Sequence, residues 1–374
     1  MNIIADENLA FTDYFFADFA REGSFGEIRQ MGGRLMRQQD VQQAQALLVR
    51  SVTPVNAALI ENTAIEFVGS ATIGTDHIDQ QALAAKHIAW SNAAGCNAQA
   101  VAEYVITAIH HLRPALFDVP NTAAEADSSA DSSTVFCLGI IGLGNVGQRL
   151  AHLGRLLGWQ VVAYDPHVQL TGISQDSLEQ VLAQADAVSL HVPLTRTGDH
   201  ATYHMINKNS LSQLKPSCIL INSARGPVVA EAALIEDIQR TGRDVVLDVF
   251  EHEPEISQQL LDLLRLATPH IAGYSLEGKA RGTQMIYEAF CQHFQFEADK
   301  DFRTQLAAAE DYFSTAPLKA VLAQRLTQIY DIAADDARLR ACVLDGKVQQ
   351  QAFDQLRKTY PLRREWAAHA GPAL

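Results

Sequence analysis

The chain has 374 residues, with 29 basic against 43 acidic side chains and a net charge of −14. With 48% hydrophobic and 19% charged residues it reads as two or three folded domains and not as a disordered chain. The acidic balance argues against non-specific nucleic-acid or anionic-membrane binding, so an anionic substrate needs locally gathered cations.

The five cysteines, Cys96, Cys137, Cys218, Cys291 and Cys342, are widely spaced and form no CxxC. That pattern disfavours a disulfide framework or a zinc site and fits a reducing compartment. Asp6 and Glu7 stand where a secretory signal would need a basic start and an apolar core, and no stretch reaches the length of a membrane span. A cytoplasmic protein is expected.

In chain order, β-branched runs alternate with helical patterns. Strands are expected at IIA near the start, ALLVR ending at Arg50, EFVGSA and HIAW, then CLGIIG, QVVAY, AVSLHV, CILINSA, DVVLDVF and ATPHIA. Helical periodicity fills NVGQRLAHLGRLLG, SLEQVLAQA and EAALIEDIQRTG, and two longer helices are expected over 97–113 and 275–294. Alternation of this kind predicts parallel sheets with helices on both faces. The small, polar, acidic segment 117–134 reads as a solvated loop at a domain entry. A tail from about residue 295 has apolar positions of its own, among them Leu322, Ile329, Phe353 and Trp366.

Gly142-Leu143-Gly144-Asn145-Val146-Gly147 follows a strand and opens a helix, and Asp165 ends the next strand 23 residues after Gly142. A lone GxGxxG is weak; in this context it is a dinucleotide fingerprint. Gly142 makes the turn, Gly144 admits the pyrophosphate, and Gly147 lets helix and strand close. Asp165 would bind the adenosine ribose and repel a 2′-phosphate, which selects NAD over NADP. Downstream, Arg225, Asp248, Glu253 and His270 fall at or just after successive strand ends, where ligands of parallel sheets bind.

GLGNVG, Asp165, NSARG, LDVFEHEP and PHIAG stand in an order and at a spacing that resemble the D-isomer-specific 2-hydroxyacid dehydrogenase family. The resemblance implies Arg225, Glu253 and His270 as the catalytic set. It implies cofactor contacts at Gly142, Gly144, Asn145, Val146, Gly147, Asp165, Ser223, Ala224, Arg225, Asp248, Gly273 and Tyr274, with Asp248 at the nicotinamide. Asp6-Glu7-Asn8, Arg50-Ser51-Val52-Thr53, the run from Gly69 to His77, Gly95-Cys96-Asn97, the run from Tyr274 to Thr283 and Arg363-Arg364-Glu365-Trp366 narrow the match. They are similar to the branch that oxidises 4-phosphoerythronate in vitamin B6 biosynthesis.

Arg50, Lys279 and Arg281 are the basic residues nearest these segments and so the candidate phosphate ligands, Arg50 first. The branch implies substrate contacts at Ser51 and Thr72. It also implies a fold of two doubly wound α/β parallel-sheet domains and a small C-terminal α+β domain. A flavodoxin-like substrate domain would span 1–96 and 275–294, a Rossmann NAD domain 97–274, and a dimerisation domain 295–374, giving a homodimer. His191-Val192-Pro193-Leu194 departs from the branch's H-T-P-L and loses one hydroxyl contact. Two other readings compete: a dehydrogenase of another 2-hydroxyacid, and a non-catalytic NAD(H)-sensing corepressor-type protein.

Overall fold

The computed structural model describes residues 2–21, 26–118, 135–314 and 316–372. The chain divides into two compact units, Met1–Asn97 with Ser275–Ala308, and Ala98–Tyr274 with Ala309–Leu374.

The first unit holds a five-stranded sheet of β1 (Asn2–Asp6), β2 (Glu27–Met31), β3 (Ala46–Val49), β4 (Phe67–Ser70) and β5 (Ala89–Asn92), ordered β2-β1-β3-β4-β5. Every pairing is parallel, and the order is that of flavodoxin-like sheets. β3 and β4 are buried along their whole length, as continuous apolar runs in a covered parallel sheet require. One face is covered by helices Thr12–Arg21 and Leu276–Phe294, whose Phe15, Phe16, Phe19, Tyr287 and Phe290 form one aromatic core. Gly69 lets that long helix approach, since a Cβ there would sit 3.1 Å from the Ile286 Cβ.

The second unit holds β6 (Cys137–Ile141), β7 (Gln160–Tyr164), β8 (Ser174–Gln175), β9 (Ala187–Leu190), β10 (Ile219–Asn222), β11 (Val245–Leu247) and β12 (Leu266–Ala267). Their order is β12-β11-β10-β9-β6-β7-β8, all parallel. Counted from β6, this is the 3-2-1-4-5-6 order of a dinucleotide fold with one strand added, and the order reverses between β6 and β9. Helix Ala98–Leu112 is buried continuously from Ala98 to Ile109, and its alanines and valines pack in one core with helix Asn145–Leu156.

The structure differs from the sequence reading in two places. Phe117 is not in a solvated loop: it ends the short turn Pro114–Phe117, fully buried, with its ring edge-on to Trp159 at 5.6 Å. The rest of that expected loop, 119–134, lies outside the described residues. The tail does not stand apart from residue 295. Phe296, Phe302 and Leu306 join the aromatic core of the first unit, whereas Phe313, Leu322, Leu339, Phe353 and Trp366 join the cores of the second. Apolar positions in the tail announced burial but not the surface that would receive them. Helices Leu318–Ile329, Ile332–Arg340 and Gln350–Lys358, with the two-stranded antiparallel pair Val343–Leu344 and Lys347–Val348, make up this segment.

Candidate active site

The glycine turn stands at the carboxyl end of β6, at the point where strand order reverses. Gly142 has φ +97°, and a Cβ there would meet the His191 carbonyl at 2.5 Å. A Cβ on Gly147 would stand 2.0 Å from the Gly142 oxygen, so this glycine sets how closely the helix approaches the strand. At Gly144 a Cβ would meet nothing within 4 Å. Gly144 is also the N-cap, has no side-chain cap, and leaves the first N–H groups of Asn145–Leu156 aimed outward. Open approach and uncapped donors together suit a pyrophosphate.

Asp165, just past β7, accepts the Leu143 N–H at 2.7 Å and those of His167 and Val168 at 2.8 and 3.0 Å. Its carboxylate is thereby fixed against the glycine turn. Val192 lies on the same turn, its Cγ1 3.0 Å from where a Gly142 Cβ would be. Burial pushes the neighbouring His191 imidazole down to about 3, so this ring is neutral. Ser223, after β10, has a buried hydroxyl with no hydrogen-bond partner. An orphaned hydroxyl at a strand end of the same sheet is a further fit to a bound nucleotide.

β10, β11 and β12 are neighbours, and their ends carry Arg225, Asp248, Glu253 and His270. Arg225 is only partly buried; its Nη1 donates to the Ala224 carbonyl at 2.7 Å, and Asn222 Nδ2 donates to the Arg225 carbonyl at 2.9 Å. Gly226 permits this turn, because a Cβ there would overlap the Phe250 carbonyl. His270 sits at φ +58°, and its Nδ1 lies 2.8 Å from Glu253 Oε1. Burial pushes the Glu253 carboxyl up, but the His270 and Arg357 charges and the hydrogen bond to His270 outweigh it, and the group titrates below its ordinary range. An imidazole held this way by a carboxylate has Nε2 left to exchange a proton.

Asp248 is set deeper than its neighbours at the strand ends. It is 1% exposed and both oxygens are engaged: Oδ1 accepts from the Thr268 hydroxyl (2.6 Å) and the Ile271 N–H (2.8 Å), and Oδ2 from the Ala272 N–H (2.9 Å). A buried carboxylate needs donors, and the nearest are the amides that follow His270. In this structure Asp248 fixes that loop. The Tyr104 hydroxyl, 2.7 Å from Thr268 Oγ1, extends the chain of bonds. Tyr104 and Thr268 were not singled out from the sequence, where nothing marks a buried tyrosine as part of such a chain. Gly273 and Tyr274 follow directly on this loop.

In the first unit, Arg50 and Ser51 follow β3 and Thr72 follows its neighbour β4. Ser51 is exposed. Thr72 Oγ1 lies 2.9 Å from Ser70 Oγ, which is 3.0 Å from His77 Nε2. Arg50 Nε is 3.2 Å from Oδ1 of Asp6, a fully buried carboxylate. Of the other candidate phosphate ligands, Arg281 donates to the Cys96 carbonyl, so it is engaged within its own unit.

Comparison with known proteins decides the family. Residues 106–272 match the model for the NAD-binding domain of D-isomer-specific 2-hydroxyacid dehydrogenases, and 313–370 match a domain of unknown function. A protein named erythronate-4-phosphate dehydrogenase from Acinetobacter baumannii (strain ACICU) is 64% identical over 372 residues, covering 100% of this chain and 99% of its own. The chain belongs to the erythronate-4-phosphate dehydrogenase family. A member from Psychrobacter cryohalolentis is 44% identical, with 98% of this chain and 97% of the relative covered. A solved D-lactate dehydrogenase from Aquifex aeolicus, complexed with NAD and lactic acid, is similar in fold: TM-score 0.62, 22% identity, 79% of this chain and 96% of that one. The parallel-sheet architecture and the NAD-binding character of the second unit are thus those of the family.

Proposed function

We propose that the chain oxidises 4-phospho-D-erythronate with NAD to (R)-3-hydroxy-2-oxo-4-phosphooxybutanoate, a step toward pyridoxal 5′-phosphate. The observation that carries this is the His270–Glu253 pair at the strand ends of a dinucleotide sheet, in a chain that matches enzymes of that name from end to end.

The residues around the glycine turn would hold NAD, and the chemistry it supplies when bound is acceptance of the C2 hydride. His270 Nε2 takes the C2 hydroxyl proton as the hydride leaves, and Glu253 stabilises the imidazolium that forms. Arg225 grips the carboxylate, which a guanidinium fork matches. Asp248 keeps the loop after His270 in place. Ser51 and Thr72 are assigned to the substrate, and Arg50 to its phosphate. The domain assignment follows: the five-stranded unit binds substrate and the seven-stranded unit binds NAD. The test is NADH absorbance on adding NAD and each of 4-phosphoerythronate, erythronate, glycerate and lactate. Preference for the phosphorylated acid is expected; no NADH with it, or equal rates with lactate, overturns the reading.

We also propose a homodimer built through the C-terminal segment, where Leu344 stays 60% exposed, and a cytoplasmic location, which the five free cysteines support. Light scattering of the full chain should give twice the monomer mass; a monomer at micromolar concentration refutes the first.

A further inference from the structure

The C-terminal segment carries two arginines, Arg357 and the buried Arg363, and among the described residues neither has the carboxylate ion pair of Arg243, the other buried arginine of this unit. Arg243 has a carboxylate partner, Asp237, at 2.7 Å. Arg363, also buried, instead reaches backbone oxygens: Ile271 (3.3 Å), Tyr274 (3.2 Å), Ala100 (3.1 Å) and Ala272. Three of these four carbonyls belong to the loop directly after His270, the same loop whose amides Asp248 holds from the other side of the peptide groups. The Tyr330 ring lies 4.2 Å from the Arg363 guanidinium carbon.

Arg357, one helix earlier, completes the pattern. Its guanidinium carbon stands 5.8 Å from the Tyr274 and the Phe353 ring centres. The Tyr360 ring meets Tyr274 edge-on at 5.8 Å. Arg357 is also the cation that acts on Glu253 besides His270 itself. Its Nε is buried without a hydrogen-bond partner, so its hold on this place is electrostatic and through Tyr274.

We propose that the segment 350–366 is a working part of the acid–base site, with Arg357 a positioning residue that holds Tyr274 beside the Glu253–His270 pair. The segment's contribution to catalysis is then separate from any part in assembly. Within this unit, and among the described residues, Asp248 and Arg357 act on the pair, with Tyr274 beside Arg357, Arg363 on the carbonyls after His270, and Arg225 at the neighbouring strand end. Arg357 is the cation, besides His270, that acts most on Glu253. Removing it favours protonation of both members of the pair, so the acid limb of kcat/KM must move to higher pH.

This inference rests on the reading of His270 and Glu253 as the acid–base pair, so wild-type NADH formation from 4-phosphoerythronate is measured first. Its absence overturns that reading, and this inference with it, before any variant is made. With an active wild type, Arg357→Met keeps most of the bulk and removes the charge. The expected result is a kcat lowered roughly tenfold and an acid limb raised by about half a unit. The Kd for NAD, read by fluorescence, and the Tm should stay close to wild type. Arg357→Lys should return the limb most of the way. An unmoved limb in Arg357→Met overturns the proposal. A change confined to KM for the phosphorylated acid overturns it too, because Arg357 would then be a direct phosphate contact. A variant that loses NAD affinity and Tm together would show a merely structural residue and count against it equally.

Discussion

At the carboxyl ends of the seven-stranded sheet, charged groups are interlocked: Glu253 holds His270, and Asp248 holds the Thr268 hydroxyl and two amides of the following loop. At those of the five-stranded sheet the set is softer, with a Thr72–Ser70–His77 row of hydroxyls and imidazole and one ion pair, Arg50–Asp6. Both sheets are parallel and offer strand ends of the same kind. The difference lies in how fully each polar group is already satisfied. Groups whose geometry must not change during proton transfer are anchored by a buried partner. Groups that only need to accept a ligand are held by hydroxyl contacts, as Thr72 is, or left exposed, as Ser51 is.

The comparison breaks first at His270. His270→Asn should lower kcat by about 10²–10⁴ while NAD still binds, and near-normal turnover would remove the acid–base role from the seven-stranded unit. Next is Arg225→Ala. Loss of a charge-assisted bond to the carboxylate should lower kcat/KM by roughly 10–100-fold for phosphorylated and unphosphorylated acids alike. An effect on one class alone would show that Arg225 does not serve the group they share.

These two positions were readable in the sequence, because a residue just past a β-branched run sits at a strand end and the sheet places it with others of its kind. The glycine turn was readable for the same reason, and each of its three glycines has the expected surroundings. Less was readable where contacts are long-range. β2 (Glu27–Met31) is a polar, largely exposed edge strand and gave no apolar run. β8 has two residues. The direction of the Asp248 carboxylate depends on amides 23 and 24 positions away. The pairing of Arg50 with Asp6 and the placement of Arg357 and Arg363 depend on partners that no local pattern names.

Arg50→Ala sharpens the other side of the comparison. It should raise KM for 4-phosphoerythronate about tenfold, with little change for erythronate. It also leaves the buried Asp6 carboxylate unpaired, so Tm should fall, and Asp6→Asn in the same chain should recover part of that loss. If KM for both acids rises equally, Arg50 is not the phosphate ligand. The smallest effect is expected at Asp165. Asp165→Ser should narrow the NAD over NADP ratio of kcat/KM by roughly one decade, the carboxylate that repels a 2′-phosphate being gone. An unchanged ratio would assign cofactor choice to another group.

The pH dependence of kcat/KM for 4-phosphoerythronate in Glu253→Gln against wild type is the most direct test of the pair at the centre of this account. The Glu253 carboxyl titrates below its ordinary range, so it is ionised throughout the working range and favours the imidazolium of His270. Glutamine keeps a hydrogen-bonding side chain but removes the charge. The account predicts an acid limb displaced to lower pH by about one unit, with a lowered plateau and an unchanged Kd for NAD. A limb that stays where it is in the wild type, with the plateau intact, would contradict it.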